Sequence, residues 1–420
     1  MHVLKISEFA RKYGVEISTV RYYINSNLLL PKVHNKQYRF DERCETDMNI
    51  IVQLKDFGFS ISEIRTILSL IHLSNLTALD DVTDFVQILE KKESELHAEL
   101  EAMQKTHEDL VSFITTLKNR RSQDGSTYPT KGVPLQMLPL LCCPDCGTPL
   151  QLQKADLKGG EVMNGEAFCP CGYHALIQNG IVLTEGGTLN SLDIPYLNRG
   201  IFKLLPVSWV SMFQQSFSRM YETLLTSETG GKVVLENQLN CFSFLFSRIS
   251  ELDPTNFYIL TDPHPEIVLR FKKMIEQQNP KLNILYIVDK TCRYPLKKNC
   301  VDVFTDICSI NDFGAFHGDD DLFSAIFPYL RDDAELIGTY LYCRPYSPTY
   351  KNLLANHPDC ARSNYQISYL HDLIRKSGAQ LIAEEDIGSV DEWCGDNPCF
   401  FFHIDKDPVY FHMYHCRLDK

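Results

Sequence analysis

Long hydrophobic runs are missing from this 420-residue chain: no stretch of 18 or more apolar residues occurs, so no membrane-spanning helix is expected. The first residues, Met1-His2-Val3-Leu4-Lys5-Ile6-Ser7-Glu8, lack the basic-then-apolar order of a signal peptide, and a soluble cytoplasmic protein is the expectation. Cysteine is too sparse for a disulfide scaffold: the count is 15, an odd number, so most should be core thiols and a cluster should mean metal. Positive charge is also short. The 41 Lys+Arg against 54 Asp+Glu leave −13, which argues against coating nucleic acid or anionic lipid along the whole length. Internal repeats are absent. What remains is an ordinary globular composition, 44% hydrophobic and 23% charged. At ~100–200 residues per domain, the length implies roughly two to four domains.

The shortage of positive charge is uneven. Residues 1–40 hold seven basic side chains against Glu8 and Glu16, a net +5, which leaves −18 for the remaining 380. In this basic segment Ile6, Phe9, Ala10 and Tyr13 share one helical face, and Gly14 can take the positive φ that ends a helix. A second helical pattern follows, with Ser18 and Thr19 suited to its start, Val20 and Ile24 inward, and Ser18, Thr19, Arg21, Tyr22 and Tyr23 near solvent. Two short helices about a Gly-containing turn are a helix-turn-helix, whose second helix enters the DNA major groove.

These residues resemble the MerR family of transcriptional regulators. The resemblance lies in Thr19-Val20-Arg21-Tyr22-Tyr23, then Asn27-Leu28-Leu29 and Pro31, a wing-like Gln37-Tyr38-Arg39-Phe40, and Leu54-Lys55-Asp56-Phe57-Gly58-Phe59-Ser60-Ile61-Ser62-Glu63-Ile64. Asn25 and Gln37 depart from the family, which commonly has an acidic residue and a wing glycine there. The resemblance implies a winged helix-turn-helix over residues 1–78, with Arg21, Tyr22, Tyr38 and Arg39 on phosphates or base edges, Lys36 on the backbone, Ser18 or Thr19 near bases, and Tyr23 either at the DNA or in the core with its hydroxyl at the edge. Phosphate contacts fix register; only base-edge contacts select sequence.

Over residues 79–120 the pattern is one long helix. Leu96, Leu100, Met103, His107, Leu110, Ile114 and Leu117 recur at alternating spacings of four and three, a heptad seam of about 32 Å. Such a seam buries against a second copy, so a homodimer presenting two reading heads to a palindromic site is expected. In the resembled family such dimers distort a promoter for RNA polymerase. Residues 121–140 read as a linker.

Residues 141–185 carry Cys142-Cys143-Pro144-Asp145-Cys146-Gly147 and Cys169-Pro170-Cys171-Gly172-Tyr173-His174. Paired thiolates in Pro- and Gly-containing turns are zinc knuckles, and two complete a tetrahedral site. Cys143, Cys146, Cys169 and Cys171 are the expected ligands of a structural Zn ion, with His174 or Cys142 as possible replacements for one of them. The segment resembles the zinc ribbon ahead of the catalytic domain in one group of large-subunit ribosomal RNA guanine methyltransferases.

Residues 186–420 alternate short apolar runs with helical patterns, which implies a parallel α/β sheet closed by a terminal hairpin of 399–404 with 409–414. The order resembles class I S-adenosylmethionine (SAM) dependent methyltransferases, a Rossmann-like fold. That resemblance puts Asp262 at a ribose and Asp289 at an adenine, with Glu236 completing the cofactor-binding candidates. Yet the first loop, Glu236-Asn237-Gln238-Leu239-Asn240-Cys241, has none of the glycines that let backbone approach such a ligand. Cys308, Cys394 and Cys399 read as core thiols, and no catalytic residue is assigned.

The expectation is therefore a multidomain MerR-like regulator with a zinc ribbon and a degenerate methyltransferase-like effector domain, probed by a small-molecule inducer. The alternatives are an active SAM-dependent methyltransferase with a fused DNA-binding module, and a regulator that senses metal or redox state through its cysteines.

Overall fold

The computed structural model describes residues 3–74, 79–123, 130–184, 205–226, 230–239, 242–317, 320–357, 360–394, 400 and 402–419. Residues 186–204, Asn240, Cys241 and Cys399, which figure in the expectations above, lie outside them. The chain divides into two compact units, Met1–Ser126 and Thr127–Lys420. No helix among the described residues is long and apolar enough to cross a membrane.

The first unit opens with β1 (Leu4–Lys5), α1 (Ile6–Lys12) and α2 (Ile17–Asn25). Glu8 accepts from the Lys5 backbone N–H at 2.8 Å, and Gly14 turns the chain at φ +65°. Helix α2 starts one residue before Ser18, with Glu16 at its N-cap and no side-chain cap bond, so Ser18 does not cap it. Strands β2 (Lys32–His34) and β3 (Gln37–Phe40) then pair with His34 opposite Gln37. The two residues between them, Asn35 and Lys36, both have positive φ (+50° and +60°), the geometry of a type I′ hairpin turn. That is how the wing closes without glycine: Asn tolerates the left-handed region well, and Lys36 takes a conformation uncommon for its type.

Helix α3 (Glu42–Asp56) is capped by Asp41, whose carboxylate accepts from Cys44 N at 3.3 Å. Helix α4 (Ile61–Ser74) opens with a reciprocal capping box, Ser60 N–H to Glu63 at 2.7 Å and Glu63 N–H to the Ser60 hydroxyl at 3.3 Å. Phe9, Val20, Phe40, Met48 and Ile64 form the core, with the Phe9 and Phe40 rings stacked at 4.2 Å. Helix α5 (Leu79–Gln123) lays Phe85, Ile88 and Leu89 against that core and continues beyond it.

The second unit is built on a twelve-stranded sheet. Its central strands are β9 (Val233–Glu236), β10 (Phe257–Asp262), β11 (Asn283–Val288), β12 (Val301–Ile307), β13 (Leu330–Cys343), β14 (Gln380–Val390) and β15 (Val409–Arg417). Counting β9 as first, their order across the sheet is 3-2-1-4-5-7-6, and β15 alone runs antiparallel to its neighbours among these. The expectation of a parallel sheet with a terminal hairpin is corrected here. Val409–Arg417 pairs with β13 and β14, while the described residues of 399–404 form no strand, their His403 caught in a turn against Asp407.

The helices of this unit are α6 (Val207–Thr226), α7 (Phe244–Ser247), α8 (Pro265–Gln278), α9 (Ser309–Phe316), α10 (Leu322–Ile326), α11 (Pro348–Asn356) and α12 (Ile367–Ser377). Beyond β11 the sheet continues through β8 (Ile181–Leu183), β7 (His174–Gln178), β6 (Glu161–Phe168) and β4 (Val133–Pro134), and β5 (Gln151–Lys158) pairs with β6. The cysteine-bearing segment is thus continuous with the α/β sheet, since β8 lies parallel to β11 with Tyr286 opposite Ile181.

Candidate nucleic-acid interface and metal centre

On α2, Ser18, Arg21 and Tyr22 are exposed and Thr19 is half-buried. Of the two places open to Tyr23 the structure shows the core: the residue is only 5% exposed, because Leu28 and Leu29 fold back onto it through their N–H bonds to its carbonyl. Burial raises its hydroxyl above the usual pKa. On the wing, Lys36 stands exposed at the tip and Tyr38 is 38% exposed. Arg39 is half-buried and donates to Gln37 Oε1 at 3.1 Å. The partner of Asp41 is Lys32, at 3.1 Å, whose ammonium holds that carboxyl below its usual range. The helix face and the wing therefore offer cations and phenols with few acidic neighbours, the chemistry that contacts phosphates and base edges.

Past Leu89, α5 shows its seam to solvent. Leu96, Leu100, Met103, Leu110, Ile114 and Leu117 are each 40% to 72% exposed, and His107 is exposed among them.

In the second unit, Cys143, Cys146, Cys169 and Cys171 bring their Sγ atoms within 4.8 Å of one another, with Cys143–Cys171 and Cys146–Cys169 at 3.4 Å. A tetrahedral ion with Zn–S bonds of ~2.3 Å needs S···S edges of about 3.8 Å, so this donor set fits Zn. Gly147 (φ +75°) and Gly172 (φ +107°) supply the left-handed turn of each knuckle and donate to the carbonyls of Cys143 and Cys169 at 2.9 Å. Cys142 is buried and its backbone bridges to Pro149; His174 opens β7 and stacks on Phe168. Neither joins the sulfur set.

At the strand ends the three candidate carboxylates close local structure. Glu236 is fully buried and accepts from Phe244 N at 2.6 Å, Leu245 N at 3.0 Å and the Ser243 hydroxyl at 3.1 Å, so it caps α7; burial raises its carboxyl to about 7. Asp262 accepts from His264 N at 2.8 Å, and this bond partner's imidazole is raised in turn by the carboxylate. Asp289 accepts from the Thr184 hydroxyl at 2.6 Å and Thr291 N at 2.7 Å. Asn237 and Leu239 are fully buried, the former holding the hydroxyls of Thr261 and Tyr294. The described part of this loop thus fills the space above β9, and these residues do not fit SAM in the manner of a glycine-lined site. Cys394 is a core thiol, pushed up to about 11 by burial, and Cys308 packs against the same core.

A hydrogen-bonded turn between helices, a two-stranded wing and an exposed cationic face define a winged helix-turn-helix DNA-binding module. Its family follows from comparison. Residues 4–71 match the family described as MerR HTH family regulatory protein, and residues 46–113 the one described as MerR, DNA binding. An uncharacterized HTH-type transcriptional regulator of Synechocystis sp. is 29% identical over 125 residues, which are 29% of this chain and 88% of that protein. The N-terminal unit is a MerR-type DNA-binding module, and the chain continues from it into an α/β unit of strand order 3-2-1-4-5-7-6.

Among solved structures, Haemonchus contortus phosphoethanolamine N-methyltransferase 2 superposes with TM-score 0.36 at 13% identity, covering 48% of this chain and 53% of that one. Geranyl diphosphate C-methyltransferase from Streptomyces coelicolor A3(2) gives 0.36 at 9%, over 48% and 75%. A SAM dependent methyltransferase from Aquifex aeolicus gives 0.33 at 14%, over 51% and 96%. This chain spans about half the length of the first of them.

One group was invisible in sequence. His371, Glu384 and His412 converge at the far edge of the sheet from one helix and two strands. No short-range spacing marks them, because tertiary packing alone joins positions so far apart in the chain.

Proposed function

We propose that this protein acts in the cytoplasm as a homodimeric regulator that reads a palindromic promoter site through Ser18, Thr19, Arg21, Tyr22, Lys36, Tyr38 and Arg39. Two copies pair through the Leu96–Leu117 seam and act on RNA polymerase at that promoter. Cys143, Cys146, Cys169 and Cys171 hold a structural Zn ion, and the α/β domain serves as the effector body for a small-molecule inducer. Residues 1–78 are the reading head, 79–120 the pairing helix and 121–140 the connection, whose β4 already joins the sheet that 141–185 and 186–420 share. The observation that carries the reading is the exposed Arg21 and Tyr22 of α2 beside a wing fixed by a type I′ turn. Operators selected from a random duplex pool with the full-length protein supply the test. Arg21→Ala should weaken binding about 10-fold or more at physiological salt, in line with the ~1–3 kcal/mol of a specific contact, and leave the dimer intact. Unchanged affinity would overturn the reading.

An active SAM-dependent methyltransferase is the second reading. Two buried polar atoms at the end of β9, Asn237 Nδ2 and Gln238 Oε1, have no hydrogen-bond partner among the described residues, which favours a ligand there. The capping role of Glu236 and the filled loop weigh against SAM as that ligand. Calorimetry decides: a Kd for SAM tighter than ~100 μM, about −5.5 kcal/mol, would support the enzyme.

A further inference from the structure

The far edge of the sheet carries a donor set that the DNA-reading function does not use. His371 projects from α12, Glu384 from the edge strand β14 and His412 from β15. His371 Nε2 lies 2.8 Å and His412 Nε2 3.0 Å from the same oxygen, Glu384 Oε2, and the three potential ligand atoms fall within 4.8 Å of one another. We propose that His371, Glu384 and His412 form a second divalent-metal site, separate from the four cysteines.

Two further observations point to an ion. The first is a supporting chain of hydrogen bonds. His412 Nδ1 is 2.7 Å from Asp386 Oδ1, and the Tyr342 hydroxyl donates to both Asp386 oxygens at 3.2 and 3.1 Å. With Nδ1 held by Asp386, the ring aims its Nε2 at the point where Glu384 and His371 meet, the nitrogen that would bind an ion there. A carboxylate orienting the remote nitrogen in this way is the usual outer partner of a metal-bound histidine. The second is the backbone of β14. Its pairing with β15 shifts register between Leu381 and Ala383 and again between Asp386 and Gly388. These two irregularities isolate Ala383–Asp386 and re-aim Glu384 and Asp386 onto the face that carries His412, as bulges beside functional sites do.

The donor chemistry selects the ion. Two imidazoles and one carboxylate suit Zn or another late first-row divalent ion and not Mg or Ca. Bonds of ~2.0–2.2 Å from a tetrahedral centre require N···O edges of about 3.4 Å, so the ligands need separate only by a few tenths of an ångström. His371 and Glu384 are 43% and 37% exposed while His412 is buried, which leaves a coordination position open to solvent. The ion would clip α12 to the last two strands of the sheet.

The test is cobalt titration of the full-length protein after removal of metal by a chelator, with Zn calorimetry in parallel. Two ions per chain are expected: one with the thiolate-to-cobalt charge-transfer band, and one with only the ligand-field bands of nitrogen and oxygen donors. His371→Ala and Glu384→Gln, both at partly exposed positions, should each abolish the second ion and leave the charge-transfer band intact. Asp386→Asn should weaken the second ion by about 10–100-fold. Binding of thiolate-coordinated metal alone, or a second ion that persists in the His371→Ala/Glu384→Gln double variant, would overturn the proposal and leave the cluster as a hydrogen-bonded staple.

Discussion

Replacing Glu236 by Gln should flatten the pH dependence of the α/β unit's stability in a defined window. The Glu236 carboxyl is fully buried, and desolvation holds it protonated up to about 7, whereas an unfolded chain releases that proton near 4.5. Between these values the folded state binds more protons than the unfolded one, so stability falls as pH rises. The contribution is fully present below the unfolded value and lost above the folded one. At ~1.4 kcal/mol per tenfold in the proton equilibrium, the loss across the window is roughly 3 kcal/mol. Glutamine mimics the protonated acid: its carbonyl can accept from Phe244 N while its amide donates to the Ser243 hydroxyl. Any fixed cost at Leu245 N is the same at every pH and drops out of the slope. Urea titrations followed by tryptophan emission isolate the right unit, because the chain's two tryptophans, Trp209 and Trp393, both lie in it and Trp209 is fully buried. Between pH 4.5 and 7.5 the wild type should lose about 3 kcal/mol relative to Glu236→Gln. Parallel profiles for the two proteins would refute the assignment of a buried, proton-holding Glu236 and with it the reading of this strand end as closed.

Gly338→Ala should destabilise the same unit by roughly 2–5 kcal/mol, because its Cβ would stand 2.6 Å from the ring and hydroxyl of fully buried Tyr414, whose hydroxyl donates to buried Asp306 at 2.7 Å. Urea midpoints check this, and a cost within ~0.5 kcal/mol of wild type would show that the ring has room to move. Leu110→Glu, at an exposed seam position, should raise the dimer dissociation constant by about 100-fold or more, since two leucines leave the interface at ~1.5–3 kcal/mol each; sedimentation equilibrium measures it. Chelating the metal from Cys143, Cys146, Cys169 and Cys171 should remove hydrogen-exchange protection from residues 142–152 and 167–175 while β10 keeps its own, and uniform protection before and after would exclude a folding role for the ion.

The N-terminal unit was legible because its signals are local. Gly14 and the i, i+4 placement of Phe9 and Tyr13 each act within a turn or two of chain. The cysteine knuckles were legible for the same reason. The place of Tyr23, core or DNA face, stayed open because helix periodicity cannot say that Leu28 and Leu29 turn back to cover it. The terminal hairpin was misjudged because 399–404 and 409–414 both look apolar, and proximity in sequence favours pairing them. The sheet instead gives β15 two long partners, β13 and β14, which bury both its edges. The wing glycine's absence raised a question that only the backbone answers, through Asn35 and Lys36 in the left-handed region.

The join between the ribbon and the α/β sheet changes what the cysteine cluster can do. A free-standing ribbon would gain its fold from the metal alone. Here β8 runs parallel to β11, and the Thr184 hydroxyl just past β8 donates to Asp289 just past β11. The first knuckle is held from the same side: Cys142 N bonds Pro295 O at 3.1 Å, Lys297 N bonds Leu140 O at 2.7 Å, and Arg293 pairs with Asp145. Val162 and Ile177 of the ribbon share one continuous core with Leu235, Ile259 and Leu285 of the central strands. The four sulfurs are therefore anchored by these contacts to the loop between Asp289 and Lys297 at the strand ends. The cysteine spacing alone did not reveal that the knuckles are built onto the α/β sheet, because the pairing of β8 with β11 joins positions about a hundred residues apart.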